Sequence, residues 1–491
     1  MNSSSAPDAS DLRPFAHRAL INAGFEPDFP SEALREAEIA REEFSDNEPE
    51  IRDLRALLWS SIDNVESRDL DQVEWAEKLP NGDIRLLIGI ADVDALVPKN
   101  SAVDAHAAIN TTSVYTGVET FPMLPLDLSA DATSLLPDVD RLAIVTALRI
   151  SPAGSVAREE VFRARVRNHA KLAYEEVGAW LEDRSTPAPE LCAQIPGLQA
   201  QLEIQSEASQ FLREARVKSG TLNFETMEAR PVVENGRVTN LTLVAQNRAR
   251  DLIESFMVAA NGAIADFLRS HLSLSIGRVV REPDRWPRIV EIARKLGDDL
   301  PEKPDAFALS GFLERRKKAD RAHFADVSLS VVKLLGPGQY EVEKPDAARV
   351  GHFGLSVRDY THSTAPNRRY VDLIIQRLVK ACLSHAPAPY SEAELEAIAT
   401  RCMTMENAAN KVERLMRKVA AASLLESRIG ETFEAIVTGA SPKGTFVRLL
   451  SLPAEGRVMR GIEGLDVGEK TRVRLIGVEA ARGFIDFECV D

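Results

Sequence analysis

Cysteine is scarce: Cys192, Cys382, Cys402 and Cys489 lie far apart in 491 residues and never form a Cys-x-x-Cys pair. That spacing argues against a zinc knuckle or a disulfide framework and fits a reducing cytoplasm. The eight histidines show no ligand spacing either. No uninterrupted apolar run reaches spanning length, and the start MNSSSAPDASD has neither a basic region nor an apolar core, so no membrane segment and no export signal are expected. Internal repeats are lacking, and low complexity is confined to the first ten residues, which are expected to be disordered. Positive charge is in deficit. A net charge of -15 argues against a protein that coats nucleic acid through its whole surface. It leaves room for a local basic path, because cations gather in ERRKKADRAH (residues 314–323) and RDYTHSTAPNRRY (residues 358–370).

What is present is a globular composition, 44% hydrophobic and 27% charged, in a chain long enough for about two to four domains. Residues 12–24 have helical spacing closed by Gly24, and Pro30-Ser31 starts a second helix with Leu34, Ala37 and Phe44 on its apolar face. From Ile51 to about Ile150 the apolar alternation predicts strands joined by turns. Helical spacing is expected from Ala170 to Ser219. Strands return around the hairpin signal Glu234-Asn235-Gly236, followed by the long helical patterns RARDLIESFMVAANGAIADFLRSHL and RRYVDLIIQRLVKACLSH. No βαβ rhythm runs through these, which predicts an α+β fold and not a doubly wound sheet. After Glu431 come about five short strands with glycines at the turns, the pattern of a small OB barrel.

The stretch SIDNVESRDLDQVE (residues 61–74) crowds Asp63, Asp69 and Asp71 together. Like charges so close raise one another's pKa unless a cation sits among them. Magnesium, with manganese as the alternative, is the ion that oxygen ligands and phosphodiester hydrolysis call for. On spacing alone the competing reading is a solvated acidic turn or a helix cap. In GHFGLSVRDYTHSTAPNRRYVDLIIQRL (residues 351–378), Thr364, Pro366, Arg368 and Arg369 stand just before a helix, where backbone donors and guanidinium forks can hold phosphates. Ordinary surface arginines are the plainer reading of that segment.

These words, together with IADVDALV, NTTSVY, PMLPLDLS, SLLPDVDRLA and LIESFMVAAN, resemble the RNB catalytic domain of the ribonuclease II and ribonuclease R family of 3′-to-5′ exoribonucleases. The resemblance runs from about Ile51 through Ser427, and the tail looks like the family's carboxy-terminal S1 domain. It implies an RNB catalytic domain at 51–428, an S1-type OB β-barrel at 429–491, and, at 1–50, a disordered start and a small helical module, helix-turn-helix-like, winged-helix-like or a packing extension, in place of cold-shock domains. It also implies hydrolysis of single-stranded RNA to nucleoside 5′-monophosphates, in the cytoplasm, by a monomer with a divalent cation.

Residue by residue, Asp63, Asp69 and Asp71 match three of the family's four acidic positions, while Gln72 stands at the fourth. The amide oxygen can still ligate a hard cation but brings no charge, so weaker metal binding is expected. Arg368 matches the arginine that holds the scissile phosphate, with Arg369 beside it; Ala365 and Asn367 depart from the family's serine and apolar residue. Glu254 resembles the glutamate that meets the sugar backbone, Tyr174 the tyrosine near a ribose, and Tyr115 and Phe224 the aromatics that stack on terminal bases. Taken alone, Phe224 and Tyr174 read as core side chains. The alternative to an enzyme is an RNB-fold RNA-binding regulatory protein with weakened catalysis, motivated by Gln72, Ala365 and Asn367; a generic metallophosphatase is a more distant one.

Overall fold

The structure, a computed structural model, describes residues 11–43, 50–224, 228–234, 236–244, 246–271, 273–321, 324–441, 444–465 and 467–490. The first ten residues, Phe44 and Asn235 lie outside the described residues. Two helices lead, α1 (Arg13–Asn22) and α2 (Ser31–Glu43). They form no joint module: Ala16 and Leu20 of α1 pack with Met405 and Met416 near the far end of the chain, while Ala33 and Ala37 of α2 join the main core. Leu34 is exposed, contrary to expectation. The alanines of α2 face the next helix, α3 (Ala102–Asn110), and small side chains there let two backbones approach while the longer leucine turns outward.

A curled sheet follows, built from β1 (Arg52–Asp53), β2 (Trp59–Asp63), β3 (Gln72–Lys78), β4 (Ile84–Ala91), β7 (Asp140–Ile150) and β8 (Val156–Ala173), with a short hairpin of β5 (Val114–Tyr115) and β6 (Thr120–Phe121) to one side. The order is β1-β8-β2-β3-β4-β7, and β8 also pairs with β7, so the sheet closes on itself. Strand β4 is almost wholly buried because both faces are covered. Leu87 and Ala91 meet Trp59 and Val73 in one core, while Leu86, Ile88 and Ile90 meet Ile62 and Leu148 in another. Double coverage is why the segment reads as a continuous apolar run. The expected helix at Ala170 begins four residues later, since Ala170 and Leu172 of β8 are held in register with Ser60 and Ile62 of β2. Helix α4 (Tyr174–Glu182) then starts at the strand's end.

The second core is roofed by α6 (Leu198–Lys218), reached through the short α5 (Glu190–Gln194), and by α7 (Arg248–Ser270). The hairpin β9 (Glu228–Glu234) and β10 (Arg237–Val244) lies between them in sequence. Asn247 caps α7 by accepting from the Ala249 and Arg250 N–H groups, which removes two of the helix's orphan donors. A satellite of α8 (Trp286–Lys295), α9 (Ala306–Ala319) and α10 (Phe324–Leu335), between strands β11 (Ser275–Val279) and β12 (Gln339–Glu343), has its own core around Trp286, Phe312 and Phe324.

Helix α11 (Tyr370–Leu383) is buried along most of its length. After it, α12 (Glu392–Leu425) opens with a capping box between Ser391 and Glu394 and runs for about 50 Å. Its last turns carry the tail: Ala421, Ala422 and Leu425 enter the core of a closed five-stranded barrel of β13 (Thr432–Ser441), β14 (Gly444–Leu449), β15 (Glu455–Arg460), β16 (Lys470–Glu479) and β17 (Phe484–Cys489). In β16, Lys470, Arg472 and Arg474 are exposed while Thr471, Val473 and Leu475 point inward. Among the described residues no helix is long and apolar enough to cross a membrane.

Candidate active site

The end of β2, the loop leading into β3, β5, the start of α4, one face of α7 and the loop before α11 enclose a cavity of about 1270 Å³. Asp63, Asp69, Asp71, Gln72, Tyr115, Tyr174 and Arg368 all line it. Asp71 is the most buried of these three aspartates, at 2% exposure. Its Oδ1 accepts from the Asn367 backbone N–H at 3.0 Å and its Oδ2 from Arg368 Nε at 3.2 Å. Burial pushes the Asp71 carboxyl up to about 7, with Asp69 adding to the rise and Arg368 and the Asn367 N–H opposing it. Asp63 closes β2, and its Oδ1 accepts from the Asn64 N–H at 2.7 Å and from Ser67 Oγ at 2.8 Å. Burial raises its pKa as well, against those two donors. Asp69 Oδ2 accepts from the Tyr115 hydroxyl at 3.1 Å.

This donor set fits a hard divalent cation by type, being oxygen throughout. The charge balance points the same way. Eight Asp and Glu side chains line the cavity against five arginines, Arg68, Arg230, Arg250, Arg368 and Arg417, so the expected basic interior path is acidic at its heart. The described part of the basic run, residues 314–321, falls in the satellite, where Arg315 is bound to Asp298 at 2.8 Å. Among the described residues, no three His, Cys, Asp or Glu side chains close to metal-ligating distance in the present arrangement.

The loop carrying Arg368 is tied from both sides. Asp372, one turn into α11, accepts from the Ala365 N–H and from Arg369, each at 2.8 Å, and the Ser113 N–H donates to the Arg368 carbonyl at 3.0 Å. Ala365 is fully buried, and Asn367 turns its Oδ1 to the Thr133 hydroxyl at 2.5 Å. The two departures at 365 and 367 therefore lie behind the loop and leave the cavity wall unchanged.

Three expected substrate residues fall outside the cavity lining. Phe224 packs against the satellite core around Trp286, because the extended segment before β9 crosses there and the ring finds apolar cover. Glu254 is turned by one residue from the face of α7 that bears Arg250, Ile253 and Met257, and pairs with Arg216 at 3.5 Å. Arg369 is taken up by Asp372 and lines a smaller neighbouring chamber. Conversely, Arg250 was not foreseen: its guanidinium lies 4.3 Å from the centre of the Tyr174 ring and donates to Glu175 at 2.9 Å. Helical spacing with Ile253 and Met257 is the signal that marks it. Glu74, in β3, is a second surprise, fully buried with neither oxygen hydrogen-bonded. Burial, with Asp63 adding, drives its pKa well above the usual carboxyl range.

Two histidines brace the same loop. The Leu355 N–H donates to His352 Nδ1 at 3.1 Å, and Tyr340 Oη lies 2.7 Å from His362 Nδ1. Burial, then Arg278, pulls His352 down to about 4, and burial, then Arg369 and Arg278, holds His362 well below its ordinary value. Their folded-state values lie under the unfolded 6.5, so the unfolded chain takes up protons first as pH falls. The contribution of these histidines should be intact above pH 6.5 and decline toward pH 4, by at most about 3 kcal/mol for His352. The raised carboxyls of Asp71, Asp63 and Glu74 act in the opposite sense, so the test is a difference: from pH 7.5 to 5 the denaturant midpoint of His352→Gln should gain on that of wild type, and a constant gap would contradict the assignment.

The RNB domain family matches residues 51–385, and the RNase II-type exonuclease C-terminal S1 domain matches residues 431–490. The chain belongs to the RNB family. Nucleases of this family are in general metal-dependent. A ribonuclease R of Thermotoga maritima is 31% identical to this RNB chain over 93% of it and 65% of the relative's own length. In fold the chain is similar to Mycoplasma genitalium RNase R, solved with ribose-methylated single-stranded RNA, at a TM-score of 0.85 and 21% identity over 98% of this chain and 79% of that one. It is also similar to yeast Ssd1, described as a pseudonuclease, at a TM-score of 0.66 and 17% identity over 83% of this chain and 50% of that one. The chain spans less than two thirds of the length of the curated relatives it matches first.

Proposed function

We propose that this RNB chain is a divalent-metal-dependent 3′-to-5′ exoribonuclease that hydrolyses single-stranded RNA to nucleoside 5′-monophosphates. One observation carries the reading: a buried Asp71 held between the Arg368 guanidinium and the Asn367 N–H, at the floor of a cavity whose carboxylates outnumber its arginines. Such a floor repels a phosphodiester unless a cation joins it. Asp63, Asp69, Asp71 and Gln72 would hold magnesium, or manganese. When bound, the cation polarises the phosphate and provides a nucleophile at neutral pH. Arg368 keeps a guanidinium edge in the cavity, where it can offset charge that develops on the phosphate oxygens. Tyr115, Tyr174 and Arg250 form the holding surface for bases and ribose, and a ribose 2′-hydroxyl close to Tyr174 would separate RNA from DNA.

Purified protein given magnesium and labelled single-stranded RNA should release mononucleotides, while EDTA stops the release. A regulatory RNA binder would shift the RNA without shortening it. Gln72 favours keeping that second reading in view, since it removes one charge from the site; Ala365 and Asn367 no longer do, being turned away from the cavity. Gln72→Asp should tighten divalent binding in a calorimetric titration, and an unchanged titration would remove residue 72 from the ligand set.

The barrel is the proposed second grip on RNA. Arg472 and Arg474 project from β16, although Arg474 is shared with Glu488 at 2.8 Å. Replacing both with serine should lower the slope of log affinity against log salt by up to about 0.7 for each phosphate of a single strand that is no longer neutralised. An unchanged slope would take this strand out of the RNA path.

A further inference from the structure

Glu74 is an anomaly in a folded protein: a fully buried carboxyl with no partner on either oxygen. Buried polar atoms are almost always satisfied, because an unpaired one costs its full desolvation. Its surroundings repeat the pattern. Ser60, its direct cross-strand partner on β2, has a buried and unpaired hydroxyl, and on α6 the amide oxygen of Gln205 is likewise buried and unpaired, its nitrogen donating to the Glu74 carbonyl at 3.5 Å.

Strand geometry gives the direction. Residues two apart on a strand share a face and stand about 7 Å apart, so Glu74 lies one period along from Gln72 on the same side of β3. Glu74 itself lies just behind the cavity lining, while Asp63 and Tyr174, both lining residues, are near enough for charge on Glu74 to act on them or theirs on it. Position 72 is where this chain carries an amide in place of a carboxylate. Within one strand, an expected carboxyl group is missing and an unexplained one appears two residues later.

We infer that Glu74 supplies the carboxylate that residue 72 lacks, acting directly or through a water on the cation held by Asp63 and Gln72. The inference rests on the metal site proposed above. It makes the acidic set of this chain Asp63, Asp69, Asp71 and Glu74, with Gln72 as a neutral oxygen donor between them.

Manganese titration of the EDTA-stripped full-length protein, read by the loss of the free-ion spin signal and by the shift of melting temperature with added ion, tests it. Glu74→Leu should weaken manganese binding by about 10- to 100-fold, the scale of removing a supporting group from a metal site. Glu74→Gln, which keeps shape and fold, should weaken it in the same direction. Gln72→Asp combined with Glu74→Leu should recover the affinity. If Asp63→Asn weakens manganese binding while both Glu74 variants bind as wild type, the inference is overturned and Glu74 is only a burdened core residue. If Asp63→Asn has no effect either, the metal site itself is misplaced and both readings fall.

Discussion

Asp71→Asn is expected to reduce single-turnover RNA decay by at least about a hundredfold, the scale of losing one electrostatic stabiliser of a transition state, with RNA affinity nearly unchanged. The substitution removes one charge and almost no volume. The one oxygen that asparagine keeps can accept from the Asn367 N–H while Arg368 Nε loses its acceptor, and the loop before α11 stays in place through the Ala365 N–H on Asp372 and the Ser113 N–H on the Arg368 carbonyl. In the proposed reading RNA is held by stacking and phosphate interactions elsewhere along the cavity, so the loss should fall on the reaction and not on the ground state. Decay and binding are to be measured separately at one magnesium concentration. Near-normal decay would remove Asp71 from catalysis, whereas a parallel fall in binding would make it a structural residue.

Arg377→Met should cost about 3–5 kcal/mol of stability, because it leaves buried charges without their partner. The Arg377 side chain is 3% exposed, and its guanidinium binds Asp94 and Asp104 at 2.8 Å, the Tyr390 hydroxyl at 2.7 Å and the Val97 carbonyl at 2.7 Å. This network fastens α11 to the turn after β4. Since Arg368 precedes α11 and Asp71 precedes β3, whose partner strand is β4, the same fastening holds the two halves of the site together. Urea midpoints should fall in the order wild type, Arg377→Lys, Arg377→Met. A loss under about 1 kcal/mol for Met, the range of an exposed pair, would contradict the account.

Much of this architecture was legible because it rests on local pattern. The long helices α6, α7 and α11 follow their helical spacing, and the barrel follows its glycine-punctuated strands. Asp63, Asp69, Asp71 and Arg368 meet in one cavity as the resemblance implied. What escaped depended on tertiary cover. Helix α3 lay unmarked within a run read as strands, and Ala170–Ala173 kept strand geometry only because β2 is there to pair with it. Phe224 was assigned to base stacking when the nearest apolar cover was a satellite core contributed by residues far along the chain. Glu254 lies one residue of helical rotation from the cavity face of α7, and Arg369 is paired with Asp372. Glu74 stood in plain view beside Gln72, but its burial is a property of α6 crossing over β3, which no spacing within the strand declares.

The most direct test follows the two ends of one RNA. A single-stranded RNA labelled separately at its 5′ and 3′ ends, incubated with excess RNA over protein and magnesium, should lose its 3′ label at once as mononucleotide. Its 5′ label should descend through progressively shorter species to a short limit product, and EDTA should abolish both. RNA that is bound and shifted yet stays full length, or that breaks at internal positions with the 3′ label retained in fragments, would contradict the assignment of this cavity as a 3′-to-5′ exonuclease site.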